Sequence, residues 1–352
     1  MKILLVTFSD NADHQDTLFG MYEQIRERYD TYLLAIEKPK VQIERTDHTW
    51  FVLCPPRPGI CRKTFDLRLL CTLILKIRKE KFDVVYFESL HVWNLPCIFF
   101  SPGKTHVYQV IHEVIPHQGD KQEKMVDLMN KAVCRTADTI VLRNETYIKE
   151  MCQRYQISPD RVTYLQLWRR YQKPPPPMYS RRVLFFGRLN PYKGAGNLLE
   201  IIRACPDIQF DVVGRVDPQM HRIAESLKNE ANVSLVDDYV SDEKMRQSFT
   251  SADWVILPYD SASQSGVIID AYKYGRPVIA FSVGAIAEEV EDGRSGYLVP
   301  AGDKRKFVQV LKQAVNMPAG QYKEMCDFAY NYGSRKYAAD GAAERFCRLI
   351  EQ

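Results

Sequence analysis

The sequence predicts an α/β protein made of two doubly wound, parallel-sheet units, and three observations carry that prediction. Short apolar runs alternate with amphipathic segments along most of the chain. Prolines 174–177 interrupt this alternation as a stiff spacer, after which it restarts. The length, 352 residues, suits two domains at about 150 residues each.

Composition narrows the class further. With 45% hydrophobic and 26% charged residues the chain is neither disordered nor fibrous. Its 20 Tyr and 16 Phe should dominate both cores. A formal net charge of +4 is too mild for a dedicated nucleic-acid binder, but it favours anionic substrates or an anionic membrane surface where cations cluster. Nine cysteines with no C-x-x-C pair read as reduced thiols in a cytoplasmic protein. The opening MKILLVTFSD has six residues from Ile3 to Phe8 free of charge before Asp10 interrupts, and reads as a first strand, not a signal peptide. The longest uncharged run lies between His91 and Lys104, holds Pro96 and Pro102, and is too short to span a bilayer.

The elements follow in order. KILLVTF is the first strand, residues 17–29 a helix, then TYLLAIE and TWFVLCPP two more strands. Residues 64–79 form a helix with Phe65, Leu69, Leu70, Leu73, Ile74 and Ile77 on one face. FDVVYFES and HVYQVIHE come next, then a polar helix and DTIVLRN. Beyond the prolines RRVLFFGRL, FDVVGRV, VSLVDDY, ADWVILPY and RPVIAF repeat the pattern with helices between them. The expected organisation is a first domain over 1–173, a hinge over 174–180, a second domain over 181–333 and a tail helix over 334–352 that packs back on the first domain. Two such domains place a ligand cleft between the carboxyl ends of their sheets.

Chemistry concentrates in the second half. In FFGRLNPYKG a strand ends at Gly187, and Arg188 and Lys193 follow in the loop. A forked guanidinium and a point-charge ammonium there suit a diphosphate. In ILPYDSASQSGVIIDAYKYGRPVIAF a small-residue loop leads into a helix near Ser265. The N–H groups at such a start cradle phosphate oxygens, with the macrodipole adding to them. Gly266 and Asp270 lie one turn apart on one face, so the backbone of Gly266 can hold phosphate while Asp270 takes a pair of ribose hydroxyls. VGAIAEEVEDGRSGYLVP then reads as a short helix between glycine turns.

Together these segments resemble the nucleotide-sugar-binding half of retaining family-4 glycosyltransferases, the group 1 enzymes with the GT-B fold of two Rossmann-like domains. The resemblance implies that Arg188 and Lys193 hold the donor diphosphate. It aligns the family's two glutamates, eight positions apart, with Ala262 and Asp270, so the first acid is missing and the second shortened, as in a subset with a QSGV loop. Gln264 and the backbone of Ser265 and Gly266 substitute for the missing acid. The DDYVSDE segment stands where the family receives the base, which makes Tyr239 and Val240 candidates.

In the first half HEVIPHQGD resembles the family's H-D/E-x-x-P-H-x-G loop. That assigns His112 to the transferred sugar and puts Glu113 and His117 on the acceptor side. The glycine pair that usually follows the family's first strand is absent, so acceptor contacts fall to His14 or Asp16. Basic residues between 57 and 81 (Arg57, Arg62, Lys63, Arg68, Lys76, Arg78, Lys79 and Lys81) alternate with Phe65 and leucines and suit peripheral docking on the inner, anionic face of the cell membrane.

The expected activity is therefore retaining transfer of a sugar from a nucleotide diphosphate, UDP foremost, to a glycan or lipid-linked acceptor in cell-surface polysaccharide synthesis. No metal or other cofactor and no nucleic acid is expected, since no D-x-D triplet is present. The rivals are a sugar-nucleotide epimerase or phosphorylase on the same fold, and a non-catalytic glycan- or nucleotide-binding protein.

Overall fold

The computed structural model describes every residue except 56–61, 115–122, 173, 239, 263–264 and 352. The chain divides into two compact units, Met1–Arg169 with Ala339–Gln352, and Arg170–Ala338. The division falls ahead of the prolines, which belong to the second unit; the ring of Pro174 lies against Gly275.

In the first unit the strands are β1 (Lys2–Thr7), β2 (Asp30–Ile36), β3 (Thr49–Val52), β4 (Val84–Phe87), β5 (His106–Ile111), β6 (Thr139–Leu142) and β7 (Val162–Tyr164). They pair in parallel in the order β3-β2-β1-β4-β5-β6-β7. Leu4 of β1 stands opposite Tyr32 on one side and Val85 on the other. Alternation along β1 feeds two cores. Ile3 and Leu5 pack with Phe19, Tyr22 and Phe346. Leu4 and Val6 pack with Leu73, Ile77, Val133 and Met151. Because helices cover both faces, the strand reads as an unbroken apolar run and not as an apolar–polar alternation.

The second unit repeats this architecture with β8 (Arg182–Phe186), β9 (Gln209–Val213), β10 (Val233–Val236), β11 (Trp254–Leu257), β12 (Val278–Phe281) and β13 (Gly296–Val299). Their order is β10-β9-β8-β11-β12-β13, again all parallel. Arg276, in the turn before β12, is buried with its guanidinium donating to the carbonyls of Phe249 at 2.9 Å and Thr250 at 3.0 Å. It thereby satisfies the last carbonyls of the helix Asp242–Ser251, which explains a buried arginine in the GRP turn.

Three expectations need correction. The first helix covers Ala12–Ile25, not 17–29, because Asn11 caps it by accepting from the Asp13 N–H at 2.8 Å. Phe65 does not join the apolar face of the next helix. That helix is Leu67–Glu80, capped by Asp66, and Phe65 ends a separate 3-10 turn with its ring 79% exposed. The tail helix does not begin at 334. Gly333 lies inside Ala319–Tyr337, and the final helix is Ala339–Ile350, whose Phe346 joins the first unit's core. Gly333 is there for close packing: a Cβ at that position would sit 2.5 Å from Tyr272 Cβ and 2.6 Å from Tyr171 Oη.

Candidate functional site

In an open parallel sheet the strand order reverses at one place, where neighbouring strands send their following helices to opposite faces and a crevice opens at their carboxyl ends. In the second sheet this place is between β8 and β11. β8 runs into Gly187, whose φ of +112° only glycine adopts readily. A Cβ on Gly187 would sit 2.5 Å from the Lys193 ammonium, so the missing side chain makes room for that cation. The turn that returns Lys193 is held by Asn190, whose buried Oδ1 accepts from the Lys193 N–H at 3.0 Å. Gly194, at φ +70°, presses against the end of β11, where a side chain would collide with the Pro258 carbonyl. The ammonium also lies 5.4 Å from the ring centre of Tyr259, just beyond β11. The structure thus sets Gly187 against the Lys193 ammonium, and Arg188 is exposed in the same loop.

The helix Gly266–Lys273 starts at this crevice. Its N-cap residue, Ser265, makes no side-chain cap. Glu289, from the short helix Ile286–Glu289, is near enough for the Ser265 N–H to favour its ionised form. Glu289 is 6% exposed, and burial pushes its carboxyl up to about 8; the Ser265 N–H and Lys336 act in the opposite sense, and Glu288 adds to the rise. Ser265 Oγ is close enough to the Tyr259 phenol to favour its ionised form, but burial dominates and raises that phenol's pKa. Among the described residues Glu289 Oε2, Ser265 Oγ and Tyr259 Oη have no partner of hydrogen-bond geometry. Asp270 is buried one turn into the helix and Gly266 half-buried at its start. The Ala262 carbonyl accepts from the Ala285 N–H at 3.3 Å, tying the loop before this helix to the segment that carries Glu289. Val240 is half-buried, while Tyr239 and Gln264 lie outside the described residues. Sequence reading passed over Glu289, although its i+3 spacing from the buried Ile286 was the available signal.

The reversal in the first sheet is between β1 and β4. Here His112, just beyond β5, donates from Nε2 to the Glu88 carbonyl at 2.8 Å, which fixes the proton on that nitrogen. Its ring stacks on His14 with centroids 4.3 Å apart and planes 19° apart, and His14 Nδ1 shares a hydrogen bond with Ser9 Oγ at 3.0 Å. The structure thus joins two histidines almost a hundred positions apart. Below them, the fully buried Glu88 carboxylate is paired with the equally buried Arg143, whose Nη1 donates to the Leu165 carbonyl at 2.9 Å. Burial alone would raise the Glu88 pKa; Arg143 and His112 outweigh it and hold it below the usual carboxylate range. Neither Glu88 nor Arg143 was singled out from the sequence, because only the fold brings them together. Asp16 and Glu113 are half-buried, with the Glu113 carbonyl accepting from Asn130; His117 lies outside the described residues.

Among the described residues no group of three His, Cys, Asp or Glu could hold a metal ion, and no helix is long and apolar enough to cross a membrane. The described cysteines are all unpaired. Of the basic segment, Arg62, Arg68, Lys76, Arg78, Lys79 and Lys81 are exposed beside Phe65, Leu67 and Leu75; Arg57 and the Lys63 side chain lie outside the description.

Parts of the chain and its fold have counterparts among known proteins. Residues 180–317 match the family model described as glycosyl transferases group 1. The chain is 34% identical over 119 residues to the GDP-mannose:glycolipid 4-beta-D-mannosyltransferase of Xanthomonas campestris pv. campestris, a match covering 32% of this chain and 34% of that protein. It is 25% identical over 280 residues to the D-inositol 3-phosphate glycosyltransferase of Streptomyces scabiei, covering 68% and 62% respectively. Anabaena HepE, solved with UDP and glucose, superposes with a TM-score of 0.74 at 14% identity over 100% of both chains. Staphylococcus aureus TarM superposes with a TM-score of 0.66 at 17% identity over 80% of this chain and 59% of its own. The architecture is the GT-B fold, two Rossmann-like parallel sheets, as the sequence predicted.

The Glu88–Arg143 pair generates a stability prediction. Glu88→Ala leaves a buried guanidinium without its counter-charge, a loss of about 3–5 kcal/mol. Chemical unfolding should show that loss, and a variant as stable as wild type would mean that Arg143 is satisfied without Glu88.

Proposed function

We propose that the protein is a glycosyltransferase that moves a sugar from a nucleotide diphosphate to a hydroxyl acceptor. One observation carries this reading: Lys193 stands over Gly187, beside the uncapped start of Gly266–Lys273, at the strand-order reversal of the second sheet. That combination offers positive charge and free backbone donors to a departing diphosphate, which is the main demand of the reaction. Arg188, from the same loop, adds a forked donor, and Asp270 takes the ribose hydroxyls. Val240 and Tyr239 receive the base. UDP is the proposed nucleotide, in line with the UDP held by HepE.

Transfer proceeds with retention. The acceptor oxygen bonds to the anomeric carbon on the face the diphosphate leaves, the bond from that carbon to the phosphate oxygen breaks, and the acceptor proton passes to the departing phosphate. His112, with Nε2 committed to the Glu88 carbonyl and its ring stacked on His14, serves the sugar and acceptor, together with Asp16, Glu113 and His117. The acceptor is a glycan or a lipid-linked glycan of the cell surface.

The variants separate these roles. Lys193→Ala and Arg188→Ala should each lower turnover by about 10² or more. Asp270→Ala should weaken binding of free UDP, whereas His112→Ala should cut turnover and spare it. Calorimetry with UDP beside a turnover assay reads both quantities, and an Asp270→Ala variant with unchanged UDP affinity ends the ribose assignment.

Two cations and a helix start need no divalent ion, so transfer should survive excess chelator. An activity lost to chelator and restored by magnesium or manganese would overturn this.

The exposed Phe65, Leu67 and Leu75 beside Arg68, Lys76 and Lys79 fit peripheral docking on an anionic membrane. Sedimentation with phosphatidylglycerol vesicles should carry the wild type down, and replacing the three lysines and arginines with glutamate should leave it in solution. Equal sedimentation of both would remove the docking face.

A further inference from the structure

The residues that directly follow four neighbouring strands of the first sheet form one connected row. Glu88 follows β4, His112 follows β5, Arg143 follows β6 and Leu165 follows β7. His112 Nε2 lies 2.8 Å from the Glu88 carbonyl and 3.4 Å from Oε1 of the Glu88 carboxylate. Arg143 Nη2 pairs with that same Oε1, and its Nη1 donates to the Leu165 carbonyl at 2.9 Å. Side-chain exposure is 10% at His112, 1% at Arg143 and 0% at Glu88, so of the three only the imidazole carries the row to the surface.

The ion pair is a poor device for stability. Two charges are taken out of water, yet Glu88 Oε2 and Arg143 Nε have no partner of hydrogen-bond geometry among the described residues. A buried pair with groups left unmet is often matched or bettered by uncharged side chains of the same volume. The charge finds its use where it meets His112. The Glu88 carbonyl already keeps a proton on Nε2, and the carboxylate beside it pulls on that proton and leaves Nδ1 as the electron-rich acceptor of the ring.

We propose that Glu88 is the positioning residue of His112, and that its negative charge, kept in place by Arg143, serves transfer and is dispensable for folding once Arg143 loses its own charge. It holds the imidazole in one orientation and one tautomer, with Nδ1 left to accept from a hydroxyl of the sugar. The inference rests on the assignment of His112 to the sugar made above and adds two groups that touch no substrate.

The surroundings suit that role. His14 covers one face of the His112 ring and is itself held by Ser9 Oγ at 3.0 Å. Burial alone would raise the Glu88 pKa, but Arg143 and His112 hold it below the usual carboxylate range, so the charge is present at neutral pH. The anomeric carbon gains positive charge as the diphosphate leaves. A carboxylate fixed behind the imidazole by strand ends needs no reorganisation at that moment.

Variants of the full chain separate the charge from the packing. Glu88→Gln keeps the shape and the main-chain contact to His112 but strands the Arg143 guanidinium, and Arg143→Met strands the Glu88 carboxylate. Each should melt well below the wild type. Combined, the two substitutions leave no unpaired charge, and the double variant should melt near the wild type. Its turnover, read as UDP release from UDP-glucose, UDP-galactose and UDP-N-acetylglucosamine, should still be lower by about tenfold or more. The loss should fall on kcat and not on KM, with UDP affinity unchanged by calorimetry. Turnover that returns together with stability makes the pair part of the core and overturns the inference, as does a double variant that melts no higher than the single ones. Nitrogen-15 resonances of the wild-type histidines test the same geometry with Glu88 and Arg143 in place. The neutral ring whose signal disappears in His112→Ala should carry its proton on Nε2, and a proton on Nδ1 overturns the positioning role. A wild type that binds UDP but releases it from none of the three sugars overturns this inference and leaves the UDP site standing. A wild type that does not bind UDP overturns the donor-site reading and this inference with it.

Discussion

Parallel strands need crossover helices, and in a doubly wound sheet those helices must change faces once. That change leaves two neighbouring strands whose carboxyl ends no connection covers. The rest of the structure depends on this constraint. In the second sheet it exposes the ends of β8 and β11, so the loops after Gly187 and Pro258 are the ones free to carry cations and a helix start. In the first sheet it exposes the ends of β1 and β4, and Ser9, His14, Glu88 and His112 gather there. Residues far apart in sequence meet because the fold has one such place per sheet.

Both places bury a carboxyl group, and the two are stabilised in opposite ways. Glu88 remains charged because Arg143 and His112 supply positive charge and hydrogen bonds in a site water does not reach. Its role is to orient: the main chain of the same residue fixes His112, and the side chain anchors the ion pair below. At Glu289 burial outweighs the opposing Lys336 ammonium and, with the like charge of Glu288, pushes the carboxyl up to about 8. Desolvation alone does not decide the charge of a buried acid; the partner that the topology delivers does.

The sequence made the sheets legible because strands covered on both faces are continuous apolar runs, as KILLVT and VLFF are. It also placed Lys193 and Gly187 together, since a cation, a glycine and a strand end fall within one short segment, and the two are adjacent in the structure. Pairings that span the fold were not legible: Glu88 with Arg143 and His14 with His112 each join different strand–helix connections. Phe65 misled because helical spacing cannot see that Asp66 caps the helix after it. Gly333 misled for a different reason. A glycine near the end of a helical pattern reads as a stop, but here it is a contact for Tyr272 and Tyr171.

The two helix starts at these crevices show how one element serves two ends. At Ala12–Ile25 the side chain of Asn11 accepts from the first turn, and Gln15 ties the same helix to the Ser9 carbonyl at 2.8 Å and to the N–H of Lys40 at 2.7 Å. That start is tied down by the protein at Asn11 and Gln15. At Gly266–Lys273 the cap residue makes no side-chain cap and glycine stands at the first position. A helix end whose polar groups lack partners within the chain costs stability unless something outside the helix meets them. An anion is the partner that the N–H groups of such an open first turn favour.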